Sequence, residues 1–194
     1  AYNEATRIGQ VIRDARRHAD RVIVVDDGSL DHTAEVAQRE HVVLVRHIEN
    51  SGAGAATMTG IEAARALGAT CVITLDADGQ HDPGDIPLLL KPVQEGRADI
   101  VFANRFGQRN RIPLIRRVAN AMGNFITWMT TGMGVSARQW GCKVFGPKAL
   151  REVDIRMSGF EFCSEIVREA AQRRWRVVQV PTKVLYSDYT LAKG

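Results

Sequence analysis

Aromatic residues are scarce in this sequence, at 6%. A surface that stacks nucleic-acid bases needs several of them among its basic residues, and here most fall at core-type positions, so nucleic-acid binding is not expected. Cysteine is nearly absent. Cys71, Cys142 and Cys163 are odd in number, far apart and form no C-x-x-C pair. That spacing argues against a disulfide framework or a zinc site and fits a reducing, cytoplasmic compartment. No apolar run approaches the roughly 18 unbroken residues of a helical membrane span. The charge is not one-sided either: the net value is +4. That mild basic excess is compatible with anionic ligands or an acidic membrane face and chooses none of them.

What is present suits a globular fold. The chain has 194 residues, of which 45% are apolar and 25% charged, enough to build one sizeable core. The pattern alternates between short β-branched runs and helical periods. Ile8, Val11, Ile12 and Ala15 recur at helical spacing within 5–19, and Val22-Ile23-Val24-Val25 is a run typical of a strand buried on both faces. Further strands are expected at 42–45, 71–75, 99–103, 143–145 and 175–180. Helices are expected at 32–39, from the Asn50–Gly54 segment to about Leu67, at 83–95, 113–130, from Pro147 and at 160–172. Successive βα units predict an α/β domain with a mostly parallel central sheet flanked by helices. Ala1-Tyr2-Asn3-Glu4 stands where such a unit expects a strand, and the chain ends abruptly at Gly194. The sequence is therefore expected to be a single domain over 1–194, trimmed at both ends.

In such sheets ligands bind at the carboxyl ends of the strands. Asp26-Asp27, Asp76-Ala77-Asp78 and Asn104-Arg105 all fall there. A single Asp after a strand is ordinarily a helix cap. Several carboxylates at one sheet edge repel each other unless a cation or hydrogen-bond donors offset them. Asp76-x-Asp78-x-Gln80 is the sharpest pattern, because alternate residues of an extended segment point to one side. Hard oxygen ligands of this kind suit Mg²⁺ or Mn²⁺ bridging to phosphates. Gly52-x-Gly54 lacks the remaining features of a dinucleotide fingerprint, but its glycines permit close backbone approach to a ligand, or helix N–H groups facing a phosphate. Arg105, Arg109, Arg111, Arg116 and Arg117 form a basic segment suited to forked hydrogen bonding with phosphate. Met122, Phe125, Ile126, Trp128 and Met129 follow as a stripe that is either core or a groove for a lipid chain at a membrane surface.

The runs Ala1-Tyr2-Asn3-Glu4-Ala5, Val24-Val25-Asp26-Asp27-Gly28-Ser29, Asn50-x-Gly52-x-Gly54 and Asp76-Ala77-Asp78-Gly79-Gln80-His81-Asp82-Pro83 resemble the inverting family-2 glycosyltransferases, nearest to the dolichyl- or polyprenyl-phosphate mannose synthase-like enzymes. Asn104-Arg105-Phe106, Gln139-x-Gly141-x-Lys143 and Gly159-Phe160-Glu161-Phe162-x-x-Glu165 continue the likeness in order. Ala137 and Cys142 depart from it, where relatives often carry Asp and Phe.

The resemblance implies a GT-A fold, a nucleotide-sugar donor of the GDP-mannose or UDP-glucose type and a divalent ion. It places Tyr2, Glu4 and Asp27 on the nucleoside and Gly52 on the donor side. Asp76 falls on the donor ribose or sugar, with Asp78 and Gln80 on Mg²⁺ or Mn²⁺. Asp76 and Asp78 are the catalytic pair. Arg105 and Arg116 fall on the phosphate of a polyprenyl or dolichyl acceptor, with peripheral contact to the membrane. A sugar-hydroxyl acceptor is the alternative and would require a carboxylate base, for which Glu161 and Glu165 are the candidates. A sugar-1-phosphate nucleotidyltransferase and a non-catalytic nucleotide-binding module are the rival readings.

Overall fold

The computed structural model describes residues 1–104 and 141–182. The helix expected at 113–130, the basic segment from Arg105 to Arg117 and the apolar stripe behind it lie outside the described residues.

Helix α1 (Ile8–Arg16) buries Ile8, Ile12 and Ala15, the stripe expected from the sequence. Its first turn is prepared by Glu4, whose carbonyl accepts from the N–H groups of Arg7 and Ile8 at 2.9 Å. Strand β1 (Ile23–Asp26) pairs in parallel with β2 (Val43–Arg46), with Asp26 opposite Arg46. Between them runs α2 (Thr33–Arg39), and β2 leads to α3 (Ala53–Ala66). Ile8, Ile12, Val24 and Ala37 close a small core on the α1 and α2 side of β1.

The second sheet holds β3 (Val72–Thr74), β4 (Ile100–Asn104), β5 (Lys143–Phe145) and β6 (Val177–Pro181) in the order β3-β5-β4-β6. Strands β4 and β6 are parallel, and β5 runs antiparallel to both β3 and β4. Three of the four strands therefore share one direction. That agrees with the mostly parallel sheet expected from serial βα units, the one reversed strand being β5, which lies between β3 and β4.

Strand β4 shows why its sequence is apolar without alternation. Ile100 and Phe102 face a core completed by Phe145, Leu150, Ile166 and Trp175. Val101 and Ala103 face another with Leu89, Val144 and Val180. The first core is roofed by α3, α5 (Pro147–Glu152) and α6 (Phe162–Gln172), the second by α4 (Ile86–Gln94). Helix α6 starts two residues later than expected. Strand β6 likewise starts after Trp175, which is drawn into the core while its indole N–H donates to Glu152 at 2.7 Å.

Asp99 fastens the start of β4 to the start of β6. Its carboxylate accepts from the Arg176 backbone N–H at 2.8 Å, from Nε at 3.0 Å and from Nη2 at 2.7 Å. These bonds hold the Asp99 carboxyl below the ordinary carboxylate range. A carboxyl depressed in the folded state contributes stability above its unfolded pKa and loses it as pH falls through the folded value. Asp99→Asn is therefore expected to lower the urea midpoint at pH 7, with the gap to wild type shrinking below about pH 4. A gap that stays constant down to pH 2.5 would remove this assignment.

Candidate functional site

The carboxyl end of β1 carries two carboxylates with different surroundings. Asp26 is fully buried and lies 3.1 Å from Arg46 Nε, as a charge contact without hydrogen-bond alignment. Its other oxygen accepts from the Ser29 N–H at 3.2 Å. Asp27 is also buried. Its Oδ1 accepts from Ser51 N–H at 2.9 Å, and its Oδ2 from Gly52 N–H at 2.9 Å. His47 Nδ1 lies 2.7 Å from Oδ1, and His47 Nε2 lies 3.0 Å from Thr59 Oγ1.

Residues 1–5 lie across this corner as a strap. The Ala1 nitrogen donates to Val25 O at 2.7 Å, and Asp27 N–H donates to Ala1 O at 2.8 Å, the pattern of a parallel bridge around Asp26. Further along, Asn3 N–H meets Ser29 Oγ at 2.9 Å, Leu30 N–H meets Asn3 Oδ1 at 2.9 Å and Glu4 N–H meets Thr33 Oγ1 at 2.8 Å. Asn3 sits at φ +54°, a left-handed conformation that Asn tolerates. Tyr2 turns outward and Glu4 inward. Ser29 Oγ accepts from Asn3, and Asp31 joins the strap to α2: its Oδ2 accepts from Ala5 N–H at 3.1 Å and its Oδ1 from the Thr33 N–H at 2.9 Å.

Gly52 and Gly54 begin α3, but their amides are engaged by protein: Gly52 N–H goes to Asp27, and Gly54 N–H goes to Ser158 O at 2.7 Å. A Cβ on Gly52 would lie 2.4 Å from Ser158 O, and one on Gly54 would lie 1.9 Å from Met157 O. The glycines allow the 156–160 loop to pack against the helix start. This corrects the expectation that these helix N–H groups face a phosphate.

Strand β3 stops at Thr74, and residues 77–79 turn. The extended alternation expected for Asp76, Asp78 and Gln80 is replaced by that turn. Asp78 Oδ1 accepts from the Gln80 N–H at 2.9 Å, and Gly79 takes φ +74°. The Asp76 side chain is 55% exposed, with buried His81 Nε2 4.0 Å from its Oδ2. Among the described residues no group of three or more His, Cys, Asp or Glu side chains is placed to hold a metal ion. The donor set nevertheless fits a hard divalent cation. Asp78 keeps Oδ2 clear of the turn's own bond, and such ions accept carboxylate and amide oxygens with the remaining positions filled by phosphate and water.

Two groups given no role from the sequence belong to the same end of the sheets. One is His47, directly after β2. The other is Lys143, 1% exposed, on β5 opposite both Thr74 and Phe102. Its ammonium stands 4.6 Å from the centre of the Phe162 ring. A lysine beginning the otherwise apolar run Lys143-Val144-Phe145 was the available signal. Cys163 lies near this ammonium; burial pushes its thiol upward, and burial pushes the Cys71 thiol up to about 11, so neither is a thiolate nucleophile near neutral pH.

Glu165, a candidate base, is buried and spends Oε2 on the N–H groups of Arg156 at 3.0 Å and Met157 at 2.9 Å. Those two bonds hold the 156–157 backbone in place. Glu161 is exposed. Arg105 and Arg116 lie outside the described residues. No helix among the described residues is long and apolar enough to cross a membrane.

Residues 1–154 match the model of a protein family described as Glycosyl transferase family 2. Over 217 aligned residues the chain is 32% identical to the UDP-N-acetylglucosamine–dolichyl-phosphate N-acetylglucosaminyltransferase of Methanococcus voltae, covering 100% of this chain and 86% of that protein. Over 194 residues it is 26% identical to the polyprenol monophosphomannose synthase of Mycolicibacterium smegmatis, covering 93% and 73%. Among solved structures it resembles glucosyl-3-phosphoglycerate synthase from Mycobacterium tuberculosis, crystallised with Mn²⁺, UDP-glucose and phosphoglyceric acid. The TM-score is 0.73 at 19% identity, over 100% of this chain and 71% of that one. At that identity the likeness concerns the fold, which is of the GT-A type.

Proposed function

Because the chain belongs to glycosyl transferase family 2 and is a hexosyltransferase, we propose that it moves a sugar, with inversion at the anomeric carbon, from a nucleoside-diphosphate sugar to a polyprenyl or dolichyl phosphate. The observation that carries this reading is the turn after β3, which sets the exposed Asp76 and the turn-forming Asp78 at the same sheet end as Lys143. The family relatives named for dolichyl-phosphate and polyprenol substrates support the acceptor class.

In this reading Tyr2, Glu4 and Asp27 line the nucleoside corner, with Gly52 behind it. Asp76 orients the ribose or the sugar. Asp78 and Gln80 would hold Mg²⁺ or Mn²⁺, which supplies counter-charge for the departing diphosphate when bound. Arg105 and Arg116 fork onto the acceptor phosphate. A phosphate monoester is already anionic near neutral pH. The protein therefore positions that nucleophile for attack on the far face of the sugar and needs no base. This agrees with Glu165 being committed to backbone amides. A peripheral approach to a membrane surface follows from the acceptor.

The test is a thermal-shift panel with UDP-glucose, UDP-N-acetylglucosamine and GDP-mannose, each with and without MnCl₂, followed by transfer assays on dolichyl phosphate and on a free sugar. A donor at 100 times its Kd stabilises the fold by about 2.7 kcal/mol. For a chain of this size that is a rise in Tm of about 5–10 °C. The expected result is such a rise with one nucleotide sugar in the presence of Mn²⁺, and sugar transfer to the lipid phosphate. Transfer to the free sugar alone would overturn the acceptor assignment.

A further inference from the structure

We propose that His47 is a positioning residue for donor recognition and acts through Asp27. The nucleoside role of that corner rests on the function proposed above; the link between the two side chains rests on geometry. Asp27 receives two backbone N–H groups, one on each oxygen, at 2.9 Å. A carboxylate so engaged is an acceptor. The third group on it, His47 Nδ1 at 2.7 Å, must therefore carry the proton. In the neutral ring Nε2 is then an acceptor, and Thr59 Oγ1 at 3.0 Å donates its hydroxyl proton to it. His47 thus ties the end of β2 to the end of β1 and to the second turn of α3.

Three surrounding segments meet at Asp27. The strap of residues 1–5 is held by the Asp27 N–H to Ala1 O at 2.8 Å. The crossing at 51–52, where Gly52 takes φ +96°, is held by the two bonds to the carboxylate. The turn at Gly28 packs so closely on the 49–50 backbone that a Cβ there would lie 2.4 Å from the Glu49 carbonyl carbon. Without His47 the Asp27 carboxylate keeps its two amides but loses the third bond on Oδ1, so the end of β2 and the 51–52 crossing are no longer tied together through it. The Asp78 turn has a bond of its own, from the Gln80 N–H to Asp78 Oδ1 at 2.9 Å.

Two measurements test the proposal. In the wild-type protein, ¹⁵N–¹H correlation spectra of the imidazoles should show His47 as the Nδ1–H tautomer; an Nε2–H tautomer with bare Nδ1 overturns it. In steady-state assays with UDP-glucose or GDP-mannose and MnCl₂, His47→Ala should raise the donor KM about tenfold, the loss of one charge-assisted hydrogen bond, with kcat within about twofold. His47→Asn places an amide N–H near the Nδ1 position and should restore most of the KM. His47→Gln reaches the Nε2 position instead and should resemble His47→Ala. Equal KM values in wild type and His47→Ala, or no difference between Asn and Gln, overturn the positioning role. If His47→Ala does not fold, the tautomer and the Asn–Gln contrast still decide. Absence of donor binding by the wild-type protein, with the Nδ1–H tautomer present, overturns the functional reading and supports the His47–Asp27 link.

Discussion

Asp78→Asn is expected to lower sugar transfer by about 100- to 1,000-fold, the scale on which removal of one electrostatic stabiliser acts in other enzymes, while leaving the thermal midpoint within about 2 °C. The substitution separates two jobs held by one side chain. Asp78 Oδ1 accepts from the Gln80 N–H at 2.9 Å and shapes the turn. An asparagine oxygen makes the same bond, so the turn persists. What it lacks is the negative charge and the second carboxylate oxygen, which strengthen the hold on a divalent cation. Asp78→Ala removes both jobs and should lose activity together with turn order. The checks are initial rates at saturating donor, a manganese titration and a melt followed by circular dichroism. Unchanged transfer with unchanged manganese dependence in Asp78→Asn would dismiss the ion-binding role of this residue.

Gly54→Ala is expected to destabilise the protein by about 3 kcal/mol or more, at the upper end of overpacking penalties. The new Cβ would sit 1.9 Å from Met157 O and 2.9 Å from Phe162 Cβ. Neither is the free end of a flexible side chain. The 156–158 backbone cannot retreat easily, because Gly54 N–H holds Ser158 O at 2.7 Å and Glu165 holds the N–H groups of Arg156 and Met157. The midpoint should fall by about 6–12 °C. Gly60→Ala in the same helix is the control. Its Cβ would meet Val25 Cγ2 at 3.4 Å, an ordinary contact, and alanine is favoured over glycine in a helix interior by up to about 1 kcal/mol. Similar midpoints for the two variants would refute the close-approach account of Gly54.

Local chemistry was legible in the sequence. The run from Asp99 to Ala103 announced a strand, and the acidic residues after the β1 and β3 runs announced a polar sheet edge. Pairings between distant segments were not. Nothing near Lys143 says that β5 lies between β3 and β4, because that order is fixed by ladders formed across the chain. Gly52 and Gly54 look alike whether a ligand or another stretch of backbone comes close; here it is Met157 and Ser158. His47 was passed over because its partner Asp27 is 20 positions earlier. The expectation that Asp76, Asp78 and Gln80 alternate along an extended strand failed because β3 ends at Thr74 and the turn carries the rest.

The 156–160 loop owes its place to main-chain groups: Ser158 O on Gly54, and the Arg156 and Met157 amides on Glu165. Its own side chains point outward, Met157 at 43% and Phe160 at 83% exposure. Because anchoring and display are thus divided between backbone and side chains, positions 157, 158 and 160 can be randomised in a combinatorial library without shifting the wall they decorate. That makes this short stretch a place where the character of the surface can be changed while the backbone beneath it is kept.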